Sequence, residues 1–263
     1  MKLRFGIFGS TLLACCCLLA LLGLARAGQQ DSGSFCQELE AAGFKIVGSG
    51  VAYDVPYVTI KIPLGFSITS LCERIPSLSR EFNLCRNRIA FFNALNPNYI
   101  KTRRAEPNSI EVSTLKIPLD FHQVPEIFPA YDRSLAAYDQ YLLVDIGKHY
   151  LALYRRGELS LVFPISPGAP GKRTPLVSFR IKDKDEDHFS SIYESWMPYA
   201  LHVQGPYYIH GGVLPGRSDS AGCIRLPLHD ARRLFKIVKK GTPGRIIDTP
   251  KVDRQIYPAS FCR

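Results

Sequence analysis

No second apolar run of membrane length follows the one between Phe5 and Leu24, which excludes a polytopic membrane protein. Internal repeats and low-complexity tracts are also missing. With 46% hydrophobic and 21% charged residues, the chain is neither intrinsically disordered nor fibrous. Acidic residues are the scarce charge, 23 against 33 Lys and Arg, for a net charge of +10. Without residues 1–27, the 30 remaining basic residues still exceed the acidic ones by seven. Such an excess favours anionic partners: nucleic acid, a lipid surface or an acidic wall polymer. The 263 residues are long for one small domain and short for three.

Residues 1–27 have the layout of a secretory signal. Lys2 and Arg4 precede the apolar run, and Ala25-Arg26-Ala27 is a small-x-small cleavage site. The alternatives are an uncleaved anchor and lipoprotein processing at Cys15, and all three deliver the remainder outside the cytoplasm. Cysteine usage agrees with export. Beyond the apolar segment the chain keeps Cys36, Cys72, Cys85, Cys223 and Cys262, an odd number. In an oxidising compartment at least one thiol is then left unpaired. Its neighbours single out Cys223. The other four allow two disulfides in three connectivities, with Cys72–Cys85 and Cys36–Cys262 as the expected pairing.

Residues 28–54 read as a polar lead-in. Between 55 and 120, Val58–Ile62 alternates like a strand, Ile68–Ile75 reads as a short helix, a second helix ends at Pro97, and Leu115–Pro118 closes the unit as a strand. Residues 121–138 read as a linker. From 139 to 249 the pattern turns to strands: Tyr141–Asp145 and Tyr150–Tyr154 as a hairpin, then Leu159–Ile165, Phe179–Ile181 and Tyr207–His210. One helix follows Pro227, with Leu228, Ala231, Leu234, Phe235 and Val238 at three- and four-residue spacing and Gly241 as its stop. Residues 250–263 are a C-terminal tail.

Chemistry concentrates in Ile209-His210-Gly211-Gly212, Leu214-Pro215-Gly216 and Ser220-Ala221-Gly222-Cys223-Ile224-Arg225. A thiol attacks acyl carbon only as thiolate and needs a base or cation beside it. His210 ends a strand and Cys223 follows a Gly-rich loop, so neighbouring strands can bring the two together. Gly222 lets backbone amides approach a developing oxyanion. Arg225, two residues on, shares the strand face of Cys223 and suits a substrate carboxylate. An inert buried thiol and a zinc site built from His202, His210, Cys223 and His229 are the competing readings; the spacings of the latter match no known ligand pattern.

The same segment resembles the signature of the L,D-transpeptidase (YkuD-like) catalytic domain: Ile-His-Gly upstream of Ser-x-Gly-Cys-Ile-Arg. The similarity runs from about Tyr141 to Asp248 and takes in Phe163-Pro164-Ile165-Ser166, Thr174-Pro175, Met197-Pro198-Tyr199 and Pro227-Leu228-His229-Asp230. Ala221 stands where the family usually has His, and the Gly that usually follows Thr174-Pro175 is missing. The unit at 55–120 is similar to a LysM peptidoglycan-binding module at Ala94-Leu95-Asn96-Pro97 and Leu115-Lys116-Ile117-Pro118.

These resemblances imply a mainly β protein, a β-sandwich catalytic domain with one helix after the catalytic Cys, preceded by a small α+β module. They also imply an exported enzyme acting on peptidoglycan tetrapeptide stems. Cys223 would form a thioester and release D-Ala, His210 would be the base oriented by the Gly211 carbonyl, and the Gly222 and Cys223 amides would form the oxyanion hole. Ser220 and Arg225 would support substrate binding. No metal or organic cofactor and no nucleic acid is expected. The acceptor is left open between a stem peptide, an outer-membrane lipoprotein, a D-amino acid and water, the last making an L,D-carboxypeptidase. A non-catalytic wall-binding protein is the alternative from another class.

Overall fold

In the computed structural model, residues 32–98, 114–256 and 262 are described. The proposed signal segment lies outside them. The N-terminal unit comprises α1 (Ser32–Ala41), β1 (Lys45–Ala52), β2 (Val55–Lys61), α2 (Ile68–Arg74), α3 (Pro76–Ser79), α4 (Phe82–Phe92) and β3 (Thr114–Pro118). Ser67 caps α2 through reciprocal bonds with Ser70. The strand–helix–helix–strand order read for 55–120 is present, with short α3 between the two longer helices.

The flanks differ from their reading. Residues 28–54 are more than a lead-in, since they contain α1 and β1. The tail contains β13 (Asp253–Ile256), which pairs antiparallel with β1, so the sheet order is β13-β1-β2-β3. Small residues explain why β1 is quiet in sequence. Gly48, Ser49 and Gly50 carry little hydrophobic signal, yet a Cβ on Gly50 would lie 2.5 Å from Tyr57 Oη.

Both expected disulfides are formed. Cys72 of α2 joins Cys85 of α4, 13 residues on, and Cys36 of α1 joins Cys262 across 226 residues. In the chain-entropy picture the short loop contributes about 3 kcal/mol and the long one roughly 5 kcal/mol. Among the described residues, Cys223 is the free cysteine. Non-reducing peptide mapping is expected to recover the two bridges and to find Cys223 alkylatable after unfolding. A Cys223 disulfide in active protein would overturn the assignment.

The C-terminal half consists of β4 (Tyr141–Asp145), β5 (Tyr150–Arg155), β6 (Glu158–Pro164), β7 (Ser178–Arg180), β8 (Lys184–Ser190), β9 (Ser195–Gln204), β10 (Tyr207–Gly211), β11 (Ile224–Leu226), α5 (Leu228–Ile237) and β12 (Pro243–Ile247). One sheet has the order β6-β5-β4-β12-β7 and the other β11-β10-β9-β8. Leu142, Val144, Leu151, Leu153 and Phe163 from the first meet Leu201, Val203, Ile209, Ile224 and Leu226 from the second, with Ala231 and Leu234 of α5 filling the same core. The sandwich and its single helix are as expected.

The segment 121–138 is not a free linker. Ile127, Phe128 and Leu135 are buried with Tyr150, Ala152 and Tyr154, while Tyr154 Oη donates to the Pro129 carbonyl at 2.9 Å. Burying these side chains seals the outer face of the first sheet. Tyr53 and Phe91 of the N-terminal unit pack on the same cluster, and Tyr150 Oη donates to the Phe91 carbonyl at 2.8 Å.

Candidate active site

Strands β10 and β11 run parallel, pairing Ile209 with Ile224 and His210 with Arg225. Ile209 and Ile224 are both about 1% exposed and face the core. Side chains alternate along a strand, so Tyr208, His210, Cys223 and Arg225 project from the opposite face. The topology thus brings the expected base and nucleophile to one face of one sheet edge. Cys223 is buried in a small cluster with Met197, Ala200 and Tyr208. Its Sγ lies 4.0 Å from Met197 Sδ and 3.7 Å from the Pro206 carbonyl oxygen.

The His210 ring is oriented by its neighbour. Nδ1 sits 2.9 Å from the Gly211 carbonyl oxygen, which only accepts, so Nδ1 carries the proton and Nε2 keeps the lone pair. Burial lowers the His210 pKa to about 4; the Gly211 bond opposes that shift and the Arg225 charge adds to it. Burial pushes the Cys223 thiol up, against the pull of the Tyr208 amide and Arg225. The resting pair is therefore neutral imidazole and thiol. Proton transfer must accompany attack on a carbonyl, because no preformed thiolate waits there.

A second buried histidine shares this behaviour. His149, with Nε2 3.1 Å from Ser218 Oγ, has its pKa lowered to about 3, chiefly by burial. Both groups bind protons more readily unfolded than folded between these values and about 6.5, so their stabilisation is present above pH 6.5. It is lost as pH falls from there through about 4. At about 1.4 kcal/mol per unit, His210 alone accounts for on the order of 3 kcal/mol. Urea unfolding is expected to show stability falling steadily between pH 7 and 4. A flat profile over that window would contradict the neutral assignment.

The turn before Cys223 is tightly specified. Gly222 has φ +122°, and a Cβ there would lie 2.7 Å from Tyr207 Cε1. Thr174 Oγ1 donates to the Gly222 carbonyl at 2.9 Å and accepts from the Gly168 amide at 2.9 Å. Ser220 is buried, its Oγ accepts from Gly222 N at 3.0 Å, and the same hydroxyl donates to the Cys223 carbonyl. It pins the turn. The same bond occupies the Gly222 amide, so of the two amides expected in an oxyanion hole Gly222 is already committed to Ser220.

Arg225 is half-buried, and its Nη1 donates to Asp219 Oδ2 at 3.1 Å, while Asp219 Oδ1 accepts from Arg217 at 2.9 Å. A guanidinium has five donors, so the Asp219 bond still leaves capacity for a carboxylate. Asp219 was not singled out by sequence, only its place inside the motif pointing to it, and Thr174 entered through the resemblance without a partner assigned. The zinc reading fails on geometry. His202 stacks on Tyr208 at 4.7 Å, His229 is exposed beside Asp230, and no three His, Cys, Asp or Glu among the described residues form a metal set.

Residues 139–246 match the family model for the L,D-transpeptidase catalytic domain, YkuD. A Bacillus licheniformis protein that bears the name L,D-transpeptidase YkuD is 30% identical over 112 residues, covering 41% of this chain and 65% of its own length. Solved L,D-transpeptidases are similar as well. That of Stackebrandtia nassauensis is 19% identical with a TM-score of 0.41, covering 43% of this chain and 58% of its own. That of Enterococcus faecium is 27% identical with a TM-score of 0.38, covering 41% and 50%. The chain thus spans less than two thirds of the length of these relatives.

Proposed function

We propose that the protein, whose residues 139–246 match the L,D-transpeptidase catalytic domain, is an enzyme of that kind and transfers acyl groups of peptidoglycan tetrapeptide stems through a thioester on Cys223. His210 Nε2 takes the thiol proton as Sγ attacks the carbonyl of the third stem residue, meso-diaminopimelate. The Sγ–C bond forms, the C–N bond to D-Ala breaks, and His210 returns the proton to the departing amine. An acceptor amine then loses its proton to His210, attacks the thioester and regenerates the thiol. Arg225 is the candidate for holding a stem carboxylate, and the Cys223 amide for the oxyanion.

The observation that carries this reading is the arrangement of Cys223 and His210 on one sheet face, with Nδ1–H held by Gly211 and Nε2 left as the base. Two disulfides support a site outside the cytoplasm, in the periplasm or cell envelope, in line with the signal-like residues 1–27. The acceptors in view are a second stem peptide, giving a wall cross-link, and an outer-membrane lipoprotein. Glycan contact by the N-terminal unit is supported by a cavity of about 730 Å³ between α4 and α5, where Arg86, Asn87 and Arg233 offer donors beside Phe91 and Leu228.

The test is incubation of the protein with a defined tetrapeptide muropeptide and an amine acceptor, with products read by mass spectrometry. Loss of D-Ala with a new amide bond is the expected result. Tripeptide alone would show water as the acceptor, and unchanged substrate would refute the proposal.

A further inference from the structure

We propose that the turn closing α4 positions the loop between base and nucleophile, with Asn96 as the positioning residue. The loop spans residues 212–223, between β10 and β11, and has no regular structure apart from bridges. Its middle is held by the N-terminal unit. Asn96 N donates to the Leu214 carbonyl at 3.3 Å, Leu214 N donates to Asn96 Oδ1 at 3.3 Å, and Gly216 N donates to the Ala94 carbonyl at 3.1 Å. Leu95 and Pro215 form an antiparallel bridge between these bonds. Leu214 and Leu95 are buried at the contact.

Two features show that this contact is built into both partners. On the loop side, Gly216 has φ +79°, and a Cβ there would come 3.0 Å from the Asn93 carbonyl oxygen and 3.2 Å from Leu95 Cδ2. On the module side, Asn93 Nδ2 donates to the Ile89 and Lys116 carbonyls at 2.9 and 2.8 Å, while its Oδ1 accepts from Lys116 N at 2.9 Å. The turn is thereby tied to β3 and cannot drift. The loop's far half is fixed by the catalytic half instead: Ser166 Oγ donates to the Arg217 carbonyl at 2.7 Å, and His149 meets Ser218.

The division matters because His210 precedes the module-held half and Cys223 follows the other. Reacting groups displaced by about 1 Å lose on the order of a hundredfold in rate. Holding both halves of the loop against rigid surfaces keeps the imidazole and the thiol in register. The Ala94–Asn96 stretch, which sequence alone marks as a landmark of a glycan-binding module, is spent in this structure on the catalytic loop.

The inference rests on the reading of Cys223 and His210 as the reacting pair, and its test separates the two. The full chain carrying Asn96→Ala, Asn96→Asp or Gly216→Ala is compared with wild type in melting temperature, kcat and KM on a tetrapeptide muropeptide, and the pH profile of Cys223 alkylation by iodoacetamide. Asn96→Ala is expected to lower kcat about tenfold with KM within about twofold, and to shift the alkylation profile. Asn96→Asp keeps the acceptor for Leu214 N and is expected to stay within about threefold of wild type. Gly216→Ala attacks the contact from the loop side and supplies the same reading if Asn96→Ala does not fold. Wild-type kcat and an unmoved alkylation profile in Asn96→Ala and Gly216→Ala would overturn the inference, as would equal loss in Asn96→Asp. If wild type shows no turnover, the transpeptidase reading falls, and the alkylation profiles alone decide the positioning role.

Discussion

Cys223→Ala is expected to abolish turnover and leave the protein folded. The thiol is the free cysteine among the described residues, and it shares a sheet face with an oriented imidazole. Removing the nucleophile of such a pair costs roughly 10⁶-fold where nucleophile and base act as a unit. The structural cost is small by comparison. Only one sulfur leaves the contact with Met197, Ala200 and Tyr208, a loss of about 1 kcal/mol. Melting temperature should therefore fall by only about 2–4 °C. Steady-state D-Ala release and a thermal melt check both halves, and release at the wild-type rate would remove Cys223 from the mechanism.

His210→Ala is expected to cost 10²–10⁴-fold in the acylation rate, the usual contribution of a positioned general base. The lowered His210 pKa and raised Cys223 pKa sharpen this expectation, because the pair does not ionise on its own near neutral pH. Without the imidazole, attack depends on the small thiolate fraction present in solution, so the residual rate should climb with pH. Ala221→His restores the residue the family usually carries next to Gly222. One imidazole within reach of the thiol suffices, so this change should move the rate by less than about tenfold, under ~1.4 kcal/mol of barrier. Single-turnover acylation of the two variants measures the contrast. A mild loss at His210 with a hundredfold gain from Ala221→His would move the base role away from His210.

The candidate pair of His210 and Cys223 is legible in the sequence because its signal is local. Sixteen residues, His210 to Arg225, hold the His-Gly pair, the Gly-Cys turn and Arg225, and two parallel strands need only fold to bring them together. The α5 stripe and the hairpin strands showed through their periodicity for the same reason. Strands β8 and β9 did not. Lys184, Asp185, Glu186 and Asp187 on the outer strand hide any alternation, and β9 is interrupted by Pro198 and by Tyr199 at φ +57°. For Ser220, motif position says nothing of direction. Its hydroxyl turns inward to the backbone. The contact of Asn96 with Leu214 joins segments 118 residues apart through one side-chain amide oxygen and backbone groups that every residue possesses, so no local pattern announces it.

A thioester on Cys223 can be trapped and weighed. Wild-type protein is mixed with a tetrapeptide stem, quenched in acid within a turnover, and its mass and peptide map are recorded. The account predicts an adduct of the stem lacking its terminal D-Ala, located on the peptide that contains Cys223 and missing from Cys223→Ala. An adduct on another residue, or D-Ala release by Cys223→Ala at the wild-type rate, would contradict it.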